Sequence, residues 1–167
     1  MALPSSVPDH PVACPATLPP DRYVDLYDTF EHTVDPKGRL VMPAPFRPAF
    51  ADGGFLVNMQ TALGLFPAAE WEPWVRRVEQ SGKVARSNLR FMIASVSPIQ
   101  PDSQHRISIN PRLRQKLHLD RDVAIVGQRK YAQIYDLAEW ERFEATVEQP
   151  PAERRSLVDE LEELDFL

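Results

Sequence analysis

The sequence predicts an α+β protein, mainly β, built from two tandem copies of one module. Short runs of alternating apolar and polar residues are closed by turn residues, as in "FEHTV" before "DPKG", and a period of two is the mark of a half-buried strand. The order of these runs recurs. Asp102 follows Asp35 by 67 positions, and Arg106 and Arg114 follow Arg39 and Arg47 by the same 67. In each copy the last strand leads into a helix start, Ala69-Glu70-Trp71 and then Ala138-Glu139-Trp140, 69 positions apart. A constant offset with one two-residue slip marks a duplicated supersecondary unit.

Residues 1–28 carry prolines at positions 4, 8, 11, 15, 19 and 20. Each proline fixes φ and removes a backbone donor, so this stretch predicts a disordered arm. The first module is expected over 29–71. Phe30, His32 and Val34 share one side of its opening strand, with Thr29, Glu31 and Thr33 on the other. "DPKG" reverses the chain: Pro36 suits the second position of a turn, and Gly38 supplies the backbone that a residue with a Cβ resists. Arg39 to Met42 return as the second strand of a hairpin. Pro43 stops it, and "APFRPAF" allows a short helical turn with Phe46 and Phe50 on one side. After Gly53-Gly54, "FLVNMQ" and "LGLFP" read as two strands across a tight loop, and "AAEWEPWVRRVEQ" opens a helix.

A connecting helical segment is expected over 72–99, with Val84, Leu89, Phe91 and Met92 available for burial. The second module, over 100–143, repeats the order: "VAIVG" answers "FLVN" and "AQIYD" answers "LGLFP". The acidic tail, 144–167, spaces Leu157, Leu161 and Leu164 at helical intervals and predicts an amphipathic helix.

With 43% hydrophobic and 26% charged residues over 167 positions, the composition is that of a soluble globular protein with enough chain for a real core. The chain has no apolar run long enough to span a bilayer, and its start lacks the basic-then-apolar order of a secretory leader. A cytoplasmic location is therefore expected. Cys14 is the only cysteine, which excludes an intrachain disulfide. The net charge of -5 conceals an uneven distribution. Residues 1–28 hold one Arg and four Asp, and residues 148–167 hold two Arg and seven acids, which leaves 16 basic and 13 acidic residues in 29–147. The body is mildly basic, as a nucleic-acid surface requires.

Catalysis finds no support in the residues. There is no GxxxxGK[ST] loop, no HExxH, no nucleophile elbow and no metal-ligand spacing. His32 and Asp35 are close in sequence, but His32 alternates with Phe30 and Val34 and reads as a half-buried strand histidine. His118, in "KLHLD", falls at a helix end, and Trp71, Trp74 and Trp140 stand beside apolar residues as core anchors. No enzyme activity, cofactor or metal is expected.

The blocks "HTVDPKGRLVMPAPFR", "LGLFPAAEW", "DSQHRISINPRLR", "VAIVG" and "YDLAEW" occur in this order. Together they resemble the MraZ family of transcriptional regulators, within the SpoVT-AbrB swapped-hairpin superfamily, over residues 26–143. The resemblance implies two SpoVT-AbrB modules packed as an internal pseudo-dimer barrel with flanking helices. It also implies a ring-shaped homo-oligomer, association with the nucleoid, and repression at short repeated operators in double-stranded DNA ahead of the division and cell-wall gene cluster. The chain departs from the family pattern at three positions. His105 stands where the second turn has glycine, Asn110 where proline is usual, and Asp28 where glycine is common.

Elementary chemistry points to the same loops. In a tight hairpin the residue before the turn faces the one four positions later, so Asp35 meets Arg39 and Asp102 meets Arg106. Each aspartate also caps the turn backbone two residues on. Asp35, Gly38 and Asp102 are thus expected as turn and staple residues. Arginine matters here because its planar fork can hold guanine O6 and N7 together in a major groove wide enough for a β-ribbon. Lys37, at the apex, suits a phosphate. The expected DNA-binding residues are Lys37, Arg39, Gln104, His105 and Arg106. One hairpin alone neutralises few phosphates and binds feebly, whereas several on one ring face gain from effective concentration. The rival reading is an oligomeric protein-interaction module of the same fold, acting through the acidic tail without sequence-specific DNA binding. Salt-titrated DNA binding separates the two.

Overall fold

The computed structural model describes residues 25–149 and 157–163. The expected arm up to residue 24, with Cys14, and Leu164 of the tail lie outside the described residues. In chain order the elements are β1 (Thr29–Thr33), β2 (Arg39–Val41), a 3-10 helix (Ala44–Phe50), β3 (Gly54–Asn58), β4 (Leu63–Pro67), α1 (Ala68–Ser81) and α2 (Arg86–Ala94). The second copy follows as β5 (Ser97–Ile99), β6 (Arg106–Ser108), α3 (Pro111–Lys116), β7 (Asp122–Gly127), β8 (Ala132–Asp136) and α4 (Leu137–Glu148), and α5 (Leu157–Glu163) ends the order.

Local pairing follows the sequence for β3 with β4 and for β7 with β8, each an antiparallel pair over five residues. The opening hairpins do not. β1 and β2 meet only through the single bridge Val34–Leu40 beyond the turn. β1 then pairs along its whole length with β7 of the other copy, in the register Thr29–Val126 to Thr33–Asp122. Reciprocally, β5 of the second copy pairs with β3 of the first. β2 pairs with β6 in a separate two-stranded ribbon, while the remaining strands form a six-stranded sheet in the order β1-β7-β8-β4-β3-β5. The two copies therefore exchange their first strands. The hairpins read from the alternation are thus turns whose strands leave for partners in the other copy.

The exchange has an energetic reason. A lone two-stranded hairpin is marginal in water, and here the inner faces of both copies close over one shared core. One cluster joins Val34, Leu40, Met42, Phe46, Phe50, Leu56, Leu63 and Leu65 from the first copy to Ile107, Ile109, Leu113, Val123, Ile125 and Ile134 from the second. Phe30 meets Phe46 edge to face at 5.2 Å, so the expected apolar side of β1 points into this core. A second cluster lies under α1, where Val57, Phe66, Trp71 and Val75 pack with Trp74, Met92 and Tyr131.

Several expectations need correction at the edges. Leu26 belongs to the core, fully buried, and exchanges backbone hydrogen bonds with Arg129, so the folded body begins upstream of Thr29. The helices starting at Ala68 and Leu137 run on past residues 71 and 143. In the connecting segment Met92 and Leu89 are partly buried, but Val84 precedes α2 and is 42% exposed, and Phe91 is 39% exposed. α2 turns one narrow edge, with Met92, onto the second cluster rather than burying all four apolar residues. Leu157, at the start of α5, is 64% exposed. Trp140 rests on Tyr135 and Phe143 outside both clusters, so its role as a core anchor holds for Trp71 and Trp74 only. Among the described residues no helix is long and apolar enough to cross a membrane.

Two of the sequence departures find local reasons. Asp28 adopts φ 78° and turns its carboxylate onto the backbone N–H of Thr29 at 2.8 Å. Aspartate is among the residues that tolerate this left-handed backbone, which explains how it replaces glycine. Asn110 is the N-cap of α3, accepting from the Arg112 N–H at 2.8 Å; Pro43, its counterpart, gives the 3-10 helix no such cap.

Candidate nucleic-acid interface

Each turn is built around a carboxylate. Asp35 accepts from the backbone N–H groups of Lys37 and Arg39, both at 2.9 Å, through Oδ1, and from Arg39 Nε at 2.6 Å through Oδ2. Asp102 does the same with Gln104 (2.8 Å) and Arg106 (2.9 Å) through Oδ1, and with Arg106 Nε at 2.8 Å through Oδ2. The backbone closes identically: Gly38 N–H donates to the Asp35 carbonyl and His105 N–H to the Asp102 carbonyl, each at 2.8 Å. Hydrogen bonds from the Arg39 N–H, then the Arg39 guanidinium, hold the Asp35 carboxyl below the ordinary aspartate range. At Asp102 the Arg106 N–H leads in the same way. Both carboxylates are thereby kept charged, and each occupies the Nε of its arginine. The two terminal nitrogens of the guanidinium are left for an acceptor.

The ribbon decides where these arginines point. Its register sets Arg39 opposite Ser108, Leu40 opposite Ile107 and Val41 opposite Arg106. Directly paired residues of an antiparallel ladder face the same way. Leu40 and Ile107 are 1% exposed and fill the core. Arg39, Val41, Arg106 and Ser108 therefore share the outer face, where the two arginine side chains are 32% and 28% exposed. Arg39 and Arg106 stand on a diagonal of one ribbon, with backbones about 7–8 Å apart.

The remaining expected residues divide between two ends. Gly38 is hydrogen-bonded through its carbonyl to the Ile109 N–H, and His105 through its carbonyl to the Met42 N–H, both at 2.8 Å. The two turns therefore sit at opposite ends of the ribbon, four residues or about 14 Å apart. Lys37 lies exposed at one end; Gln104 and His105 lie exposed at the other. The structure brings Arg39 and Arg106 together and keeps the two apices apart. His105 occupies the strained position expected for it, with φ 58° against 78° at Gly38.

Two further arginines flank these turns. Arg47 and Arg114 are both partly buried, and the helix of each copy reaches across to the other copy's turn. Arg47 lines a cleft with Asp102 and His105, and Arg114 one with Asp35 and Pro36. Sequence reasoning placed both in the repeat through their 67-residue offset. It did not connect them to the turns, because that contact depends on the exchange between copies.

The histidines match their sequence reading. His32 is half-buried on β1, and burial, followed by the nearby Arg47 cation, lowers its pKa below the ordinary value. His118 follows α3 with φ 50°; its N–H donates to the Gln115 carbonyl and that of Leu119 to the Arg114 carbonyl, which is a helix C-cap. Among the described residues no group of three or more His, Cys, Asp or Glu is placed to hold a metal ion.

Comparison with known proteins follows the same duplication. The family model described as MraZ protein matches twice in tandem, over residues 26–91 and 92–158. The chain is 33% identical over 125 residues to the "Transcriptional regulator MraZ" of Mycobacterium sp. (strain KMS), covering 72% of this chain and 87% of that protein. It is 34% identical over 125 residues to the protein of that name from Mycobacterium avium (strain 104), with the same coverage. A third, from Kineococcus radiotolerans, is 35% identical over 129 residues, covering 75% of this chain and 90% of that protein. With two adjacent matches spanning nearly all of the described body, this chain belongs to the MraZ family.

Proposed function

We propose that this chain is a sequence-specific DNA-binding transcriptional regulator. In this reading it is a repressor of the division and cell-wall gene cluster, and it acts at short operator repeats from a nucleoid-associated, ring-shaped homo-oligomer. The exchanged hairpins correspond to two SpoVT-AbrB modules closed as a pseudo-dimer barrel. The observation that carries the reading is the shared outer face of the β2–β6 ribbon, which presents Arg39 and Arg106 side by side, each fixed by its own aspartate. The family relatives named transcriptional regulators support it.

The mechanism follows from preorganisation. A free arginine loses rotamer entropy when it docks, of the order of 0.5–1.5 kcal/mol for an immobilised long side chain. Here the carboxylates have already immobilised both. The ribbon enters the major groove, and the terminal nitrogens of each guanidinium meet guanine O6 and N7. Lys37 at one end, and Gln104 with His105 at the other, touch the backbone or groove walls and set the register. Repetition of the ribbon around the ring sums weak contacts over successive operator repeats.

A mobility-shift titration on DNA upstream of the chain's own gene neighbourhood, with sedimentation of the same samples, tests the reading. Arg39→Ala is expected to abolish the shift while leaving assembly intact. Binding by that variant as tight as by the parent contradicts the assignment. Failure of the parent to bind any repeat at low salt favours the protein-interaction alternative.

A further inference from the structure

We infer that the cleft beside the first turn, walled by Thr33, Val34, Asp35 and Pro36 of one copy and by Arg114 and Arg121 of the other, is a binding site for a backbone phosphate of the DNA. The cleft encloses about 480 Å³. It rests on the DNA-binding reading above and adds to it two further groups, Arg114 and Arg121, that hold the duplex without reading it.

The case begins with an unequal pair. Arg47 and Arg114 occupy the same place in the two copies, yet they are satisfied differently. Arg47 donates its Nε to the Met42 carbonyl at 3.1 Å. The Nε of Arg114 is buried and has no hydrogen-bond partner among the described residues. A buried donor without an acceptor is costly, of the order of 1–3 kcal/mol, and in native proteins calls for an explanation. The adjacent carboxylate does not supply the acceptor. Both oxygens of Asp35 are engaged by Lys37 and Arg39.

Position then selects the ligand. The Nη1 of Arg114 lies 3.8 Å from where a Cβ on Gly38 would stand, so the guanidinium closes over the turn that carries Lys37 and Arg39. Arg121 opens the other wall, exposed, with its carbonyl tied to the Val34 N–H at 2.8 Å. Neither arginine forms an ion pair among the described residues. Two arginines that line one cleft beside the turn at the Gly38 end of the ribbon suit the oxygens of a singly charged phosphodiester. They do not suit a base edge, which the outer face meets first. A ribbon seated in a groove has a phosphate strand running past each end, and Arg114 with Arg121 marks the one bound at the Gly38 end. The other end, with Arg47 already tied to Met42, contributes less.

The test uses the full chain, with operator-repeat and scrambled duplexes titrated across salt, for the parent, Arg114→Gln, Arg121→Gln and the double variant. The two arginines share one phosphate, so losing both is expected to reduce the salt slope by about 0.9, and the double variant's loss of affinity between 50 and 200 mM salt becomes about three- to fourfold smaller than the parent's. The weakening is expected to be equal on both duplexes, unlike Arg39→Lys, which lowers the preference for repeats. Thermal unfolding of each variant separates a misfolded protein from a missing contact, and Arg114→Lys, which keeps the charge, is expected to keep the slope. An unchanged slope in a folded double variant overturns the site. Independently of DNA, inorganic phosphate is expected to shift the Arg114 Nε–H signal in an NMR titration of the parent. A signal that does not move overturns the site as well. If the parent binds no duplex but this signal moves, the regulator reading fails while the anion site stands.

Discussion

The two turns of this protein carry the same clamp on different backbones. At the first, Gly38 takes φ 78°, is buried, and lies under Arg114; at the second, His105 takes φ 58° and is exposed. The aspartate–arginine hydrogen bonds nevertheless agree to within about 0.2 Å, with Nε to Oδ2 at 2.6 and 2.8 Å. The geometry of the clamp is therefore set by the spacing Asp-x-x-x-Arg and the two N–H groups bound to Oδ1. The residue in the left-handed position decides something else, namely how that position is packed. A Cβ at Gly38 would come within 3.0 Å of the Ile109 carbonyl, whereas His105 is exposed and holds its own carbonyl on the Met42 N–H at 2.8 Å.

Breaking the clamp itself should have the largest effect. Arg39→Lys and Arg106→Lys each replace a planar fork with a point charge, and each is expected to cost about 1–3 kcal/mol of discrimination between correct and mismatched repeats. Competition mobility shifts with substituted repeats measure this. Equal losses at the two positions support one composite ribbon site, and a loss at Arg39 alone would leave the second turn a packing element.

Next in size is the difference between the turns. Gly38→Ala combines a disfavoured left-handed backbone, about 1–2 kcal/mol, with the close approach to Ile109. A destabilisation of about 2 kcal/mol is expected in urea unfolding. His105→Gly relieves strain but frees the unfolded chain, and its stability is expected to stay within about 1 kcal/mol of the parent. Similar effects at both turns would mean that they are not packed as unequally as described.

Smaller again is the cap. Asn110→Ala removes the bond to the Arg112 N–H and should cost about 1 kcal/mol. Pro43→Ala at the matching position has no side-chain cap to lose.

The smallest expected effect is on pH. Burial beside Arg47 depresses the pKa of His32, so the unfolded chain binds a proton more readily than the fold does. Stability from this position is fully present above the ordinary histidine value of about 6.5 and declines as pH falls below it toward the lowered value. His32→Gln is expected to flatten that decline in urea midpoints between about pH 5 and 7. Asp35 and Asp102 act lower still, holding their contribution above the ordinary aspartate value of about 3.9 and losing it in stronger acid.

Much of this is legible in the sequence. The alternation of Phe30, His32 and Val34 gave the correct inner face of β1, the strand pairs β3–β4 and β7–β8 followed from their tight loops, and the 67-residue offset located the two clamps. What local pattern cannot express is a choice of partner. Period-two alternation says that β1 has one apolar face, but not that β7, some 90 residues on, will cover its edge. The same gap hid Arg47 and Arg114, whose roles depend on reaching the opposite copy's turn. The exposure of Val84 and Phe91 is out of reach for a related reason, since apolar character alone does not say which neighbour covers a side chain.

The central claim is that Arg39 and Arg106 work from one ribbon face on one groove segment. Guanine N7 methylation interference on a single operator repeat, run with the parent and with Arg39→Lys and Arg106→Lys, tests it most directly. The account predicts interference at two guanines within that repeat, one altered with Arg39→Lys and the other with Arg106→Lys. Interference that is unchanged by either substitution, or guanines assigned to the two arginines in separate repeats, would contradict it.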